Sequence, residues 1–219
     1  MPMRGGFLAE LRELKEEIML LGSMVEKAFE DVLTAIENED VAKFNEIIKN
    51  DKKVNSLELD INEKATLLIA KQQPVASDLR NIIVALKISS DLERVGDLAV
   101  DMAKAAQRMD RMSYFKDYQS DLMAMATKTS KMMREVLIAY QQGNVIEAQH
   151  IANVDDEVDE AYGQFVKSIF TIKIDDKETA EQVTQMAFIA RYIERIADYC
   201  TNIAEWIIYE VNGERFDLN

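Results

Sequence analysis

Apolar residues recur at intervals of three and four along nearly the whole chain, and its only prolines are Pro2 and Pro74. That spacing is the period of an α-helix with one buried face, and with few breakers each helix can run long. From Phe7 to Ile36 the stripe is Leu8, Leu11, Leu14, Ile18, Leu21, Val25, Phe29, Val32 and Ile36. Asn38-Glu39-Asp40 offers a break and a cap, after which Val41, Phe44, Ile47, Val54, Leu57, Ile61, Ala65 and Leu68 continue to about Gln72. Pro74 stops this second helix, and Ser77-Asp78 can cap a third from about Leu79 to Met109. A fourth carries Leu122, Met125, Met132, Val136 and Ala139 and ends at Gly143-Asn144, where glycine suits a left-handed cap. A fifth runs from Val145 to about Ile174, and Asp175-Asp176 with Glu178 starts a sixth through Val183, Met186, Ala190, Ile193, Ala197, Cys200, Ala204 and Ile207. No stretch alternates like a strand, so the expected fold is all-α.

The second constraint is an internal duplication. Glu93-Arg94-Val95-Gly96-Asp97-Leu98-Ala99-Val100-Asp101 returns as Glu194-Arg195-Ile196-Ala197-Asp198-Tyr199-Cys200-Thr201-Asn202, each on the third helix of its half. The chain therefore reads as two tandem antiparallel three-helix bundles, residues 1–112 and 113–219, set end to end.

Composition removes several classes of function. With 40 acidic against 26 basic residues the net charge is -14, which disfavours nucleic acid and anionic membrane, since phosphate backbones are bound through Lys and Arg. Cys200 is the single cysteine, so an intrachain disulfide and thiolate zinc sites are excluded. The first residues lack the apolar core of a signal peptide, and no run has the length of a membrane span. A reducing cytosol fits these features.

The duplicated motif also carries the candidate chemistry. Carboxylates four apart stack along one edge of a helix and repel one another, and a bound cation is the simplest reason to build that arrangement twice. At 100° per residue Glu93 and Asp97 fall about 100° and about 140° from the core position Leu92, and Glu194 and Asp198 fall at the same angles from Ile193. The sites should thus flank the core stripe and be shallow. The preceding helix of each half supplies a second acidic edge, Asp51 and Asn55 in one, Asp155 and Asp159 in the other. Antiparallel packing brings Asp51 and Asn55 to Glu93, Asp97 and Asp101, and Asp155 and Asp159 to Glu194, Asp198 and Asn202. An all-oxygen set suits Mg, Mn, Ca or oxygen-ligated Fe, with Zn less natural. The plainer reading is a solvated acidic face neutralised by Arg94 and Arg195. Glu147-Ala148-Gln149-His150 has the Glu-x-x-His spacing of di-iron bundles, but a di-iron site needs two such motifs and His150 is the sole histidine, so it reads as a surface residue. The methionines Met109, Met112, Met123, Met125, Met132 and Met133 read as adaptable core packing. Gly96 reads as a point of close helix packing. A dinuclear-metal hydrolase or oxidase and a metal-free helical scaffold remain as alternatives.

The run Gln72-Gln73-Pro74-Val75-Ala76-Ser77-Asp78-Leu79-Arg80, the stretch from Ala85 to Asp97 and the closing segment from Asn202 through Tyr209 to Gly213-Glu214 together resemble the PhoU family of bacterial phosphate-signalling regulators. The similarity runs essentially end to end. The resemblance implies a cytoplasmic homodimer of two three-helix bundles that binds metal clusters and is no enzyme. It implies repression of the phosphate-starvation response, through contacts with the phosphate ABC transporter ATPase and a sensor histidine kinase. The family's repeated acidic motif is found here as Glu93/Asp97 and Glu194/Asp198, with Asp155/Asp159 matching on the fifth helix. Asn55 stands where the second half has Asp159, and Asn202 where the first half has Asp101. An amide oxygen ligates without adding charge, so the two sites should differ in occupancy or metal.

Overall fold

The computed structural model describes residues 2–109 and 116–218, with side chains from Gly5 onward. Among the described residues there are six long helices and no strand: α1 Pro2–Asn38, α2 Val41–Gln72, α3 Ser77–Gln107, α4 Gln119–Gln142, α5 Val145–Ile169 and α6 Lys177–Asn212. The expected boundary between residues 112 and 113, and Met112 itself, lie outside the described residues.

The local signals act as their chemistry dictates at most helix ends. Asp40 caps α2 by accepting from Lys43 N at 3.0 Å, and Asn144 and Asp176 cap α5 and α6 through Glu147 N at 3.2 Å and Thr179 N at 2.7 Å. Gly143 and Gly213 close α4 and α6 in the left-handed region, with φ 65° and 79°. Two ends depart from expectation. Ser77 is the first residue of α3 rather than its cap, and the turn before it is made by Ala76 at φ 49° with no side-chain cap. α5 stops at Ile169, five residues short of Ile174, and leaves Phe170 and Ile174 exposed. Periodicity alone carried on through a turn whose apolar residues happen to keep the phase.

Within each half the three helices pack on one another, α1 with α2 and α3, α4 with α5 and α6. The halves do not stand end to end. They lie side by side, because α3 and α6 make the most extensive helix contact in the molecule and α1 also packs on α4. The buried residues of both halves form one continuous core, from Phe29, Phe44 and Leu92 to Val136, Ile193 and Ile207. This is why Ala, Val and Ile line so much of α3 and α6: each must bury one face in its own bundle and another against its twin. At the α1–α4 crossing a Cβ on Gly22 would lie 2.5 Å from Leu137 Cδ2, and Arg134 of α4 reaches Glu26 and Glu30 of α1 at 3.1 and 2.9 Å.

α3 and α6 run antiparallel, with Asp91 against Trp206 and Arg80 against Tyr209 and Gly213. The Arg80 guanidinium covers the Tyr209 ring, donates to the Glu210 carbonyl at 3.4 Å, and occupies the space of a Cβ at position 213. Arg80 and Gly213, far apart in the chain, together close the C-terminal end of α6.

Candidate metal centre

The packing of α5 on α6 sets Asp155 and Asp159 opposite Glu194 and Asp198. Ligand oxygens of Asp159, Glu194 and Asp198 all lie within 4.8 Å of one another. The site is deeper than the helical wheel predicts: Asp155 is 3% and Glu194 7% exposed, while Asp159 stays open to solvent. A position beside the apolar stripe becomes interior once a second helix closes over it. Asp155 Oδ1, Glu194 Oε2 and Thr201 Oγ1 are buried with no hydrogen-bond partner among the described residues. A buried acceptor without a donor is costly, and carboxylates have two means of relief: take up a proton or meet a cation.

The protonation equilibria record that pressure. Burial, with the Asp198 charge adding to it, lifts the Glu194 carboxyl to about 7 against the pull of Arg191. Burial raises Asp155 to about 6, the nearby Thr201 hydroxyl offsetting part of it and the Asp198 and Asp159 charges adding to it. Asp198 is raised by burial and by Asp159. Arg191 pairs with Glu194 one turn along α6 and lies over the Tyr162 ring at 5.8 Å, whereas Arg195 reaches Tyr199 at 3.5 Å. The arginine that pairs with Glu194 is therefore Arg191, which the repeated motif does not contain, while both Arg191 and Arg195 offset part of the charge on Asp198. Its spacing of three from Glu194 was the available signal.

In the first half Asp51 and Asn55 of α2 meet the α3 edge formed by Glu93, Asp97 and Asp101. Asn55 Nδ2 donates to Asp51 Oδ2 at 3.0 Å, so the amide spends its donor on the neighbouring carboxylate. Asp51 Oδ1 and Asn55 Oδ1 remain buried without partners. Burial first and Asp97 second raise both Asp51 and Glu93; Glu58, absent from the sequence-derived set, adds to Glu93. Arg94 lies 3.8 Å from Glu93, and Lys104 holds Asp101 at 3.1 Å. Gly96 sits where a Cβ would come 3.2 Å from Val54 and 4.0 Å from Asp51 Oδ1, so it does mark the close approach of α2 to α3. Among the described residues no three carboxylates converge here as they do in the second half. Asn202 lies elsewhere, lining a cavity on the α3 side of α6 with Asp91 and Trp206. His150 is exposed, and Cys200 is buried with its thiol pushed up by burial.

The residues present fit a hard cation. Asp159, Glu194 and Asp198 supply oxygens at ligand spacing, and the orphaned Asp155 and Glu194 oxygens lie beside them.

Known proteins share both the sequence and the shape. The family profile described as the PhoU domain matches residues 18–106 and again 122–207. The phosphate-specific transport system accessory protein PhoU homolog of Clostridium acetobutylicum is 39% identical over 214 residues, 97% of each chain. The phosphate-specific transport system accessory protein PhoU of Escherichia coli K12 is 36% identical over 212 residues, 97% of this chain and 88% of that one. The crystal structure of the phosphate transport system regulatory protein PhoU from Streptococcus pneumoniae superposes with a TM-score of 0.88 at 30% identity, over 96% of this chain and 99% of that one. PhoU from Pseudomonas aeruginosa gives 0.87 at 30% identity, over 95% and 100%.

Proposed function

The chain belongs to the PhoU family, and we propose that it is an accessory regulator of phosphate transport whose second-half carboxylates hold a divalent or iron cation. Support for the first part comes from the likeness itself, which spans both halves and nearly the full length of relatives named as accessory proteins of phosphate-specific transport. The observation that carries the second is the convergence of Asp159, Glu194 and Asp198 beside buried oxygens that lack donors. A cation relieves the repulsion and desolvation gathered at this edge, so its binding ties α5 to α6.

In this reading the protein works through contacts, not catalysis. It is cytoplasmic and homodimeric, and it restrains the phosphate-starvation response by joining the phosphate ABC transporter ATPase to a sensor histidine kinase. None of its helices among the described residues is long and apolar enough to cross a membrane. A net charge of -14 sets it against direct binding to promoter DNA, so its effect on transcription passes through protein partners. Deleting its gene should derepress phosphate-uptake genes at high phosphate only while the kinase is intact. A double deletion that stayed derepressed would remove the kinase from this account.

A further inference from the structure

The duplication makes each half a control for the other, and one departure between them lies on the α3–α6 seam. On one side Phe188 and Tyr192 of α6 stack with ring centroids 6.2 Å apart. The corresponding α3 positions, 101 residues earlier, are Lys87 and Asp91. On that side the seam holds a cavity of about 510 Å³, lined by Leu86, Lys87, Ser90, Asn202, Trp206 and Arg215 with Asp91 at its wall. That volume lies in the range of small-molecule sites.

The lining is organised rather than incidental. Trp206 Nε1 donates to Asp91 Oδ2 at 3.1 Å, which fixes the indole. Lys87 Nζ lies 5.7 Å and the Arg215 guanidinium 4.9 Å from the Trp206 ring centre. Arg215 is brought there by the segment beyond α6, which is tied back where Leu218 N donates to the buried Glu205 carboxylate at 2.9 Å. Two cations, the Ser90 hydroxyl and the Asn202 amide thus line one space, beside Asp91, which the indole engages and Lys87 attracts, and the buried Glu205 carboxylate, which accepts from Leu218 N. In a chain of net charge -14 this is a local gathering of donors in which two cations offset the neighbouring carboxylates.

We propose that this seam cavity binds a small phosphate-bearing anion, with Lys87 and Arg215 as the charged anchors and Ser90 and Asn202 as donors. Inorganic phosphate and a nucleotide share this recognition chemistry, and Trp206 offers a ring face that only the nucleotide base would use. The site is separate from the α5–α6 carboxylates, so its existence does not rest on the metal reading.

Trp206 is the only tryptophan, so its emission reports on the cavity directly. The full-length protein is titrated to millimolar inorganic phosphate, and separately to magnesium-free adenosine triphosphate, at constant ionic strength against potassium chloride. Isothermal titration calorimetry provides a second readout. Saturable binding of either anion is expected, weakened about tenfold or more in Lys87→Gln and in Arg215→Gln, as the loss of a charged hydrogen bond implies. Lys173→Gln, which removes an exposed lysine outside the cavity lining, should bind with unchanged affinity. Phosphate binding assigns the site to the free ion, and binding of the nucleotide alone assigns it to the larger ligand. No saturable response to either anion, a response matched by chloride, or affinities untouched by both substitutions overturns the proposal.

Discussion

The two acidic edges come from the same repeated motif on the same helices, yet only one gathers its carboxylates. In the α5–α6 edge Asp159, Glu194 and Asp198 converge and Asp155 is buried behind them. In the α2–α3 edge Asn55 replaces Asp159 and turns its amide on Asp51, and Lys104 holds Asp101. Duplicated backbone thus fixes where ligands can stand, while single substitutions decide how much uncompensated negative charge collects there. A half that gathers fewer carboxylates, and engages some of them with amide and ammonium donors, has less to gain from a cation even where Asp51 Oδ1 and Asn55 Oδ1 stay unpartnered.

The sharpest way to break this comparison is to remove one of the converging second-half carboxylates. Asp198→Ala should weaken binding of Mn or Fe(II) at that edge by at least about a hundredfold, since even outer-shell changes at metal sites cost ten- to a hundredfold. The protein should stay folded, because the substitution also removes like-charge repulsion. Calorimetric titration with unaltered stoichiometry and affinity would contradict it.

Next in size is the exchange of the differing residue. Asn55→Asp adds the missing carboxylate to the first half and should raise its cation affinity about tenfold, toward that of the second. Asp159→Asn should do the reverse. If neither swap moves affinity in these directions, the asymmetry has another origin.

Metal-free stability gives a third test. A carboxyl harder to ionise folded than unfolded holds its proton more tightly in the native state, so stability is greatest at low pH and falls as pH rises through the native value. For Glu194 that value is about 7 and for Asp155 about 6, against ordinary values of 4.5 and 3.8. Asp91 on the α3–α6 seam is also raised to about 6, so the melting temperature of the metal-free protein should rise as pH is lowered from 8 to 5, on the order of what these three raised carboxyls contribute. Glu194→Gln should flatten that rise more than Asp51→Asn does. A flat profile in the unsubstituted protein would show that burial is not straining these groups.

The smallest expected effect is at Gly96, whose counterpart is Ala197. Gly96→Ala gains about 0.8–1 kcal/mol of helix propensity and offsets it by pressing a methyl to 3.2 Å from Val54. Thermal denaturation should show a net change within about 1 kcal/mol. A loss of several times that would mean the α2–α3 approach is far stiffer than α5–α6.

Much of this fold is legible in the sequence because helices announce themselves locally. Stripes such as Leu14, Ile18, Leu21 and Val25, the caps at Asp40, Asn144 and Asp176, and the glycine at 143 each follow from near neighbours. What depends on distant partners is not written there. Side-by-side packing of α3 on α6 leaves no periodic trace beyond a wider apolar face, and the Arg80–Gly213 pairing joins residues on different helices. For the acidic edges, helical angle placed Glu93, Asp97, Glu194 and Asp198 beside the core, but the depth of Glu194 and Asp155 is set by the facing helix. Asn202 shares the spacing of its motif and still faces the seam, since its side of α6 is covered by α3.

The most direct test is a substoichiometric manganese soak of metal-free crystals with anomalous difference maps at both edges. The account predicts density first, and strongest, among Asp159, Glu194 and Asp198, with weaker density or none beside Asp51, Asn55 and Asp97. Equal peaks at the two edges, a stronger peak in the first half, or none at either would contradict it.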